Sequence, residues 1–182
     1  MTLRQTVAPT APAVTLEEAK EFYRILSTDE DSTIEMTIAA ATAKAEQITN
    51  RQLSRTTFEF AVDGFAAVRL PKPPFVEVKT IEYIDISGNK VVWSDFKVEM
   101  DGEIAVVSFP TTPTDAKGGR NSVFITYEAG YEELPDPLKS WILIYGLTIF
   151  EQRENMVIGT SVSLEPNTYY NHLLDSYRVV PI

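Results

Sequence analysis

The chain has 182 residues, enough for one domain or for a core with a large insertion, and its apolar fraction of 44% suffices for a hydrophobic core. Its net charge of −10, from 26 acidic and 16 basic residues, argues against a protein that grips nucleic acid or an anionic membrane by charge. Cysteine is absent and His172 is the single histidine, which excludes disulfides, thiolate chemistry and a multi-histidine metal cluster within one chain.

The N-terminal part of the chain predicts an arm followed by two helices. Residues 1–13 are rich in Pro, Thr and Ala and have no hydrophobic period, which predicts a flexible arm, extended or disordered. Thr15 and Glu18 form a capping-box pattern that begins the first helix. Its apolar residues recur at helical spacing up to Leu26, and the helix is predicted to end near Ser27. A second helix follows an acidic start, has a buried face of isoleucine and alanine, and ends at Asn50, which suits a left-handed cap. Residues 14–55 therefore form the N-terminal helical part.

Residues 56–134 change to a period of two, which is typical of strands. Asp63-Gly64 and Asp101-Gly102 are turn signals, and the prolines of residues 71–74 cannot lie in a central strand. The pattern predicts six or seven short strands in a small antiparallel sandwich or barrel-like segment, inserted between helical parts.

Residues 135–154 predict a central helix, with Asp136 as its N-cap and Pro137 at its first position. This helix is apolar on nearly every side, whereas a surface helix shows a single apolar stripe. Its uncharged run, residues 140–150, is about half the length needed to span a bilayer, so the helix is buried in protein. Either other copies of the chain cover it, or it is the central helix of a monomeric core.

The remaining C-terminal segment completes the fold prediction. Residues 155–166 have neither period nor charge density and predict a mobile loop, and residues 167–176 predict a short helix. We therefore predict an α+β fold in which a small helical bundle, with two N-terminal and two C-terminal helices, carries the antiparallel β insertion. The C-terminal helical part is residues 135–182.

No motif for chemistry stands out. The carboxylate clusters lie beside predicted helix starts, where compensation of the helix dipole explains them better than acid–base or metal chemistry; they are Glu17-Glu18, Asp29-Glu30-Asp31 and Glu132-Glu133. His172 has no Ser or Cys partner in a recognisable motif. Gly118-Gly119 lacks the rest of a phosphate-binding loop. The sequence predicts no catalytic residue, no cofactor and no metal.

Several short motifs occur in order over about 165 residues. They are VTLEEAK at 14–20, DED at 29–31, TNRQL at 49–53, LPKPP at 70–74, VKTIEYI at 78–84, YEAGY at 127–131, LPDPLK at 134–139, FEQRE at 150–154 and LLDSYRV at 173–179. In this order and spacing they resemble the head–tail connector, or adaptor, proteins of long-tailed bacteriophages, a head-completion family. Asn50 departs from the family, which often has Gly there, and the arm lies outside the match.

The resemblance implies a structural virion protein without enzymatic activity. Such proteins join the portal after packaging, form a ring, extend the DNA channel and dock the next neck or tail protein. The implied partners are the portal, the downstream neck or tail protein and further copies in a dodecameric ring. The implied location is the virion neck, after assembly in the host cytoplasm. Candidate contacts with these partners lie in the C-terminal part: Trp141, Tyr145, Phe150, Tyr170, Tyr177 and Arg178.

Two alternatives stay open at this level: a tail-completion protein, and a small ligand-binding or enzymatic β domain carried on helices. The charge distribution adds an expectation about DNA, because residues 56–134 carry 13 acidic and 7 basic residues. An acidic or neutral channel lining repels phosphate, so DNA is expected to pass without specific binding. No membrane partner is expected.

Overall fold

The computed structural model describes residues 1–155 and 168–180, with side chains for residues 1–152 and 172–180. The chain divides into two compact units. The β unit comprises Met1–Ala11 and Ser54–Glu132, and the helical unit comprises Pro12–Leu53 and Glu133–Ile182. The predicted mobile loop, residues 155–166, lies outside the described residues except for its first position, which ends a helix.

The β unit contains two antiparallel sheets. Its strands, among the described residues, are β1 (Thr2–Val7), β2 (Thr56–Val62), β3 (Val68–Arg69), β4 (Phe75–Ile84), β5 (Lys90–Val92), β6 (Lys97–Asp101), β7 (Ile104–Ser108) and β8 (Val123–Ala129). One sheet has the order β1-β2-β8-β4-β5 and the other the order β3-β7-β6. Both are open, so the barrel-like alternative is wrong: the terminal strands of each sheet do not pair with each other within the described chain.

A single apolar core is shared by both sheets. Strand β8 supplies Val123, Ile125 and Tyr127, all fully buried, and β7 supplies Ala105 and Val107. Alternate residues along β8 are buried, as the two-residue period predicts for a strand with one face on a core. This arrangement matches the sandwich part of the sequence prediction and explains why the alternating pattern stretches over most of residues 56–134.

The first strand corrects the prediction of a flexible arm. Thr2–Val7 forms β1, which pairs antiparallel with β2 at the edge of the five-stranded sheet. Its side chains are exposed except for the half-buried Leu3, so the segment has no alternating apolar pattern. The sequence therefore hides a strand that is defined by backbone pairing with β2, about 50 residues away in the chain.

The helical unit contains α1 (Leu16–Tyr23), α2 (Asp31–Thr49), α3 (Asp136–Asn155) and α4 (Thr168–Asp175). The predicted capping box begins α1: the Glu18 amide donates to Thr15 Oγ1 at 3.2 Å and the Thr15 amide donates to the Glu18 carboxylate at 2.9 Å. Asn50 ends α2 in the predicted left-handed conformation, with φ of 58°. Helix α3 begins at Asp136, one residue earlier than its predicted first position at Pro137.

Small residues bring α2 close to α3. Ala41 and Ala45 of α2 are fully buried, and Gly146 in the middle of α3 lies against Thr37 and Ala41. The C-terminal tail is held at the end of α2, because the Val179 amide donates to the Thr49 carbonyl at 2.9 Å and Asn50 Nδ2 donates to the Val179 carbonyl at 3.2 Å. Residues distant in sequence thus form one helical core.

Candidate functional site

The burial of the apolar side chains of α3 decreases along the helix. In its first half Leu138, Trp141, Ile142 and Leu143 are buried, with between 0 and 7% of each side chain exposed. In its second half every large apolar residue is only half-buried, although the composition is equally apolar. These half-buried residues are Ile144, Tyr145, Leu147, Ile149 and Phe150. The helical unit therefore covers the first half by itself and leaves the second half partly open to contact.

Trp141 and Tyr145, two predicted contact residues, stack on each other. Their ring centroids are 4.7 Å apart and the rings are inclined by 16°. Trp141 is 2% exposed, which makes it a core residue within this chain. Its use as a direct contact with a neighbour would require that core to open. Tyr145, which is half-buried, keeps part of its ring available.

Phe150 and Tyr23 join the second half of α3 to α1. Their ring centroids are 6.1 Å apart, and Tyr23 also meets Phe22 edge to face. The Tyr23 hydroxyl points at Gly146, where an added Cβ would lie 2.5 Å from it. This buried hydroxyl has no hydrogen-bond partner of good geometry among the described residues. Burial raises the pKa of Tyr23 to about 12, and the nearby Thr37 side chain opposes that shift only in part.

Tyr177 and Arg178, the predicted contacts at the C-terminus, hold the tail in place. The Tyr177 carbonyl accepts from Arg51 Nε at 2.6 Å, and the Arg51 guanidinium lies 5.9 Å from the centre of the Tyr177 ring. Arg178 is exposed and pairs with Asp175 at 3.3 Å. Tyr170 belongs to α4, and its side chain is outside the described part of the chain.

A second apolar surface was missed by the sequence analysis. Leu26 is 96% exposed, and Phe22, one helical turn earlier, is 45% exposed. Leu26 lines a groove of about 630 Å³ together with Leu16, Ile25 and charged residues that include Lys20 and Asp31. The sequence prediction that the first helix continues to near Ser27 is wrong, because Arg24 adopts the left-handed conformation and ends the helix at Tyr23. Leu26 therefore leaves the apolar helix face on which its spacing had placed it. We call Phe22, Ile25 and Leu26 the α1–α2 loop patch.

The outer face of the five-stranded sheet carries paired charges. Glu59 lies 3.0 Å from Arg4 and 3.5 Å from Lys90, and Lys90 also lies 3.4 Å from Glu82 and 4.1 Å from the centre of the Phe124 ring. Farther along the face, Glu128 pairs with Lys79 at 2.8 Å and with Arg55 at 3.8 Å. Because acids and bases alternate here, this face is not uniformly acidic.

The carboxylate clusters named from the sequence are engaged in structural contacts. Glu18 belongs to the capping box and pairs with Lys139 at 2.7 Å, which lowers the pKa of Glu18. Asp31 pairs with Lys20 at 2.6 Å, and Glu132 pairs with Arg55 at 3.2 Å. His172 is exposed and lies 3.0 Å from Asp175. Among the described residues, no group of three or more His, Asp or Glu side chains is placed to hold a metal ion.

No helix within the described ranges is long and apolar enough to cross a membrane. The described residues thus offer apolar surfaces and paired charges rather than converging reactive groups.

A sequence model of the family described as head completion protein matches residues 13–168. The chain belongs to the head completion protein family. The matched range leaves out the first twelve residues, and the family resemblance drawn from the sequence motifs is confirmed.

The fold of this head completion protein is shared with solved structures of phage-like particles. A chain in "Neck of empty GTA particle computed with C6 symmetry" has a TM-score of 0.80 at 21% identity. Chains in "Virion of native gene transfer agent (GTA) particle" and "Neck of native GTA particle computed with C12 symmetry" have TM-scores of 0.78 and 0.72, each at 19% identity. Each similarity covers 100% of this chain and 97% of the other. A comparison with curated protein sequences finds no match.

Proposed function

We propose that this head completion protein is a structural component of the neck of a phage-like virion, where it forms a ring between the portal and the next neck or tail protein. The observation that carries the proposal is the family match over residues 13–168. The fold shared with chains from the necks of gene transfer agent particles supports the same position. The protein acts by assembly and not by catalysis.

The ring is proposed to contain twelve copies and to extend the DNA channel below the portal. The neck structures with related chains were computed with six-fold and twelve-fold symmetry, and a ring of twelve satisfies both. A head-to-tail ring places two different surfaces of each subunit in contact. The second half of α3 and the α1–α2 loop patch are two apolar surfaces of the helical unit that suit such contacts, because burying them removes apolar area from water.

The free protein is expected to be monomeric at low salt and to form rings at high concentration and higher salt. Its net charge of −10 makes free subunits repel each other, and salt screens this repulsion. Light scattering gives the mass, and negative-stain imaging shows whether the assemblies are rings. A two-fold dimer that does not change with salt or concentration would overturn the ring.

Particle imaging tests the location. A label on this protein is expected at the neck, and particles made without the protein are expected to lack attached tails. A label at the far end of the tail or along the tail would instead indicate a tail-completion protein. This experiment separates the two structural roles that the sequence left open.

DNA is proposed to pass through the ring without being held. Glu99 and Glu103 are exposed on the β6–β7 hairpin, and we place this acidic hairpin at the channel. The unmodified protein is expected to give no gel shift with duplex DNA at physiological salt. Glu99→Lys combined with Glu103→Lys is expected to slow DNA ejection, whereas Glu17→Lys, an exposed change in the helical unit, serves as the control. Tight DNA binding by the unmodified protein would defeat this part of the proposal.

A further inference from the structure

Strand β1 is attached to its sheet by few side-chain contacts. Leu3 is its one half-buried residue, and the other five are exposed. Leu3 packs against the apolar core of the β unit, and the other side-chain contacts of β1 are polar. Arg4 pairs with Glu59 at 3.0 Å, and Thr6 Oγ1 donates to the Thr57 carbonyl at 3.1 Å. Releasing β1 therefore uncovers little apolar area of its own.

Strand β2, which pairs with β1, is mostly buried, whereas β1 is mostly exposed. Six of the seven residues of β2 are buried, and β2 is hydrogen-bonded on its other side to β8. Without β1, the backbone N–H and C=O groups along the outer edge of β2 would lose their partners, which is costly for a long strand with an apolar face. A strand with the sequence of β1 fits the β2 edge, since Leu3 lies opposite Phe60 and Arg4 lies opposite Glu59.

The link between β1 and the helical unit is suited to an exchange. Residues 8–13 join β1 to Val14, which is 1% exposed and anchors the chain in the helical unit. This link contains Pro9 and Pro12, which lack amide protons, and within the described chain no hydrogen bond ties it to another segment. Fully extended, the seven steps from Val7 to Val14 span at most about 25 Å. No hydrogen bond therefore restrains the linker within the described chain, and its length limits the reach of an exchanged strand to about 25 Å.

We propose that β1 is exchanged between neighbouring subunits on assembly, so that β1 of one copy pairs with β2 of the next. The occupant of the β2 edge is then a second copy of this chain. Every hydrogen bond and ion pair of the β1–β2 pairing is preserved, because the exchanged strand is identical. The gain is a subunit contact made of main-chain hydrogen bonds, added to the apolar contacts of the ring. This inference rests on the proposed ring and goes beyond it.

Cysteine pairs test the exchange, because the chain has no cysteine of its own. Arg4 and Glu59 are Cα partners in the register. Directly opposed antiparallel residues have Cα atoms about 4.5–5.5 Å apart, within the range that a disulfide accepts. Two singly substituted chains, Arg4→Cys and Glu59→Cys, are mixed, assembled and oxidised. Exchange predicts a cross-link with the combined mass of the two different chains, found in the assembled fraction and not in the monomer.

The matched control replaces Glu59→Cys by Thr126→Cys. Thr126 pairs with Glu59 on β8 and lies one strand farther from Arg4, about 9–10 Å away, which is too far for a disulfide. Cross-linking that is equal in both mixtures would indicate random encounters and would overturn the exchange. Rings that form without the Arg4–Glu59 cross-link would overturn the exchange and leave the proposed function standing. Failure of the unmodified protein to assemble at all would overturn both.

A doubly substituted chain gives a second readout. In Arg4→Cys combined with Glu59→Cys, oxidation of the monomer locks β1 onto its own β2. Exchange predicts that the locked protein assembles several-fold less than the same protein after reduction. Equal assembly of the locked and reduced forms would contradict the exchange, whatever the effect of the substitutions on folding, because the two forms have the same sequence.

Discussion

The two halves of α3 have similar composition and different surroundings. From Leu138 to Leu143 the apolar side chains are buried within the helical unit, whereas from Ile144 to Phe150 they are half-buried. Apolar residues on all sides of a helix therefore do not define a single role. The first half stabilises the folded chain, and we propose that the second half contributes to assembly. We propose that the alternatives left open by the sequence, a monomeric core or covering by other copies, apply to different halves of this helix.

The largest expected effect is a loss of stability on substitution in the buried first half of α3. Trp141→Ala removes a side chain that is 2% exposed and stacked on Tyr145. We expect the free energy of unfolding to fall by about 3–5 kcal/mol, because the cavity cannot close completely. Urea unfolding followed by circular dichroism measures this value. A loss below about 1 kcal/mol would place Trp141 outside the core.

The second-largest expected effect is a loss of stability at Gly146, where α3 closely approaches the Tyr23 hydroxyl of α1. Gly146→Ala gains about 1 kcal/mol of helix propensity, but its Cβ would lie 2.5 Å from the Tyr23 hydroxyl. We expect a net loss of about 1–2 kcal/mol, because the Tyr23 ring is packed against Phe150 and has little room to move.

The Tyr23→Phe background is the control for this clash. Removing a buried hydroxyl without a partner is expected to leave stability unchanged or higher. In that background Gly146→Ala is expected to be neutral or stabilising. A double-mutant cycle measures the coupling, and a coupling of zero would show that the hydroxyl does not limit the approach of α1 to α3.

Substitutions in the half-buried second half of α3 are expected to reduce ring formation more than stability. Leu147→Ser alters a half-buried side chain, so the isolated protein is expected to lose about 1 kcal/mol while ring formation falls strongly. Light scattering at matched concentrations measures the second effect. Leu138→Ala, at a fully buried position, should show the reverse order, with the larger loss in folding. Unchanged assembly of the folded Leu147→Ser protein would remove the second half of α3 from the interface.

The smallest effect concerns the ion pair at the start of α3. The Lys139 ammonium and the Thr15 amide stabilise the charged form of Glu18 and lower the pKa of Glu18 below its ordinary value of 4.5. Since the folded-state pKa is lowered, the stabilisation is complete above about pH 4.5 and is lost as the pH falls through and below that value. Because Glu18 is 39% exposed, we expect less than about 1 kcal/mol.

Chemical unfolding as a function of pH measures this contribution. Glu18→Gln should flatten the loss of stability below pH 4.5, whereas Glu17→Gln, an exposed neighbour in the same helical turn, should not. Identical pH profiles for the two variants would show that the Glu18–Lys139 pair contributes nothing measurable.

The sequence predicted the local features of this protein correctly where short-range chemistry decides them. The Thr15–Glu18 capping box and the left-handed cap at Asn50 depend on residues within one turn, and both are present. The two-residue period of residues 56–134 likewise indicated strands packed on one core. The ordered motifs predicted the head completion family, which the family match confirms.

The surroundings of the candidate contacts could be predicted only in part from the sequence. Trp141 was chosen for its size and aromatic character, but its burial depends on how α3 packs in the helical unit. Tyr177 was chosen in the same way, and its role in fixing the tail to α2 depends on Arg51, which is 126 positions away. Leu26 was predicted on the apolar face of the first helix, but α1 ends at Tyr23 and leaves Leu26 96% exposed in the loop.

The sequence by itself determined the caps at Thr15 and Asn50, where strands alternate and to which family the chain belongs, because these follow from neighbouring residues and their spacing. Only the tertiary structure decided that β1 is a strand, that α3 has a buried and a half-buried part, and that the Tyr23 hydroxyl lies against Gly146. The physical reason is that burial and strand pairing are contacts between distant segments. The same apolar side chain stabilises a core or an interface according to which segment, or which copy, covers it.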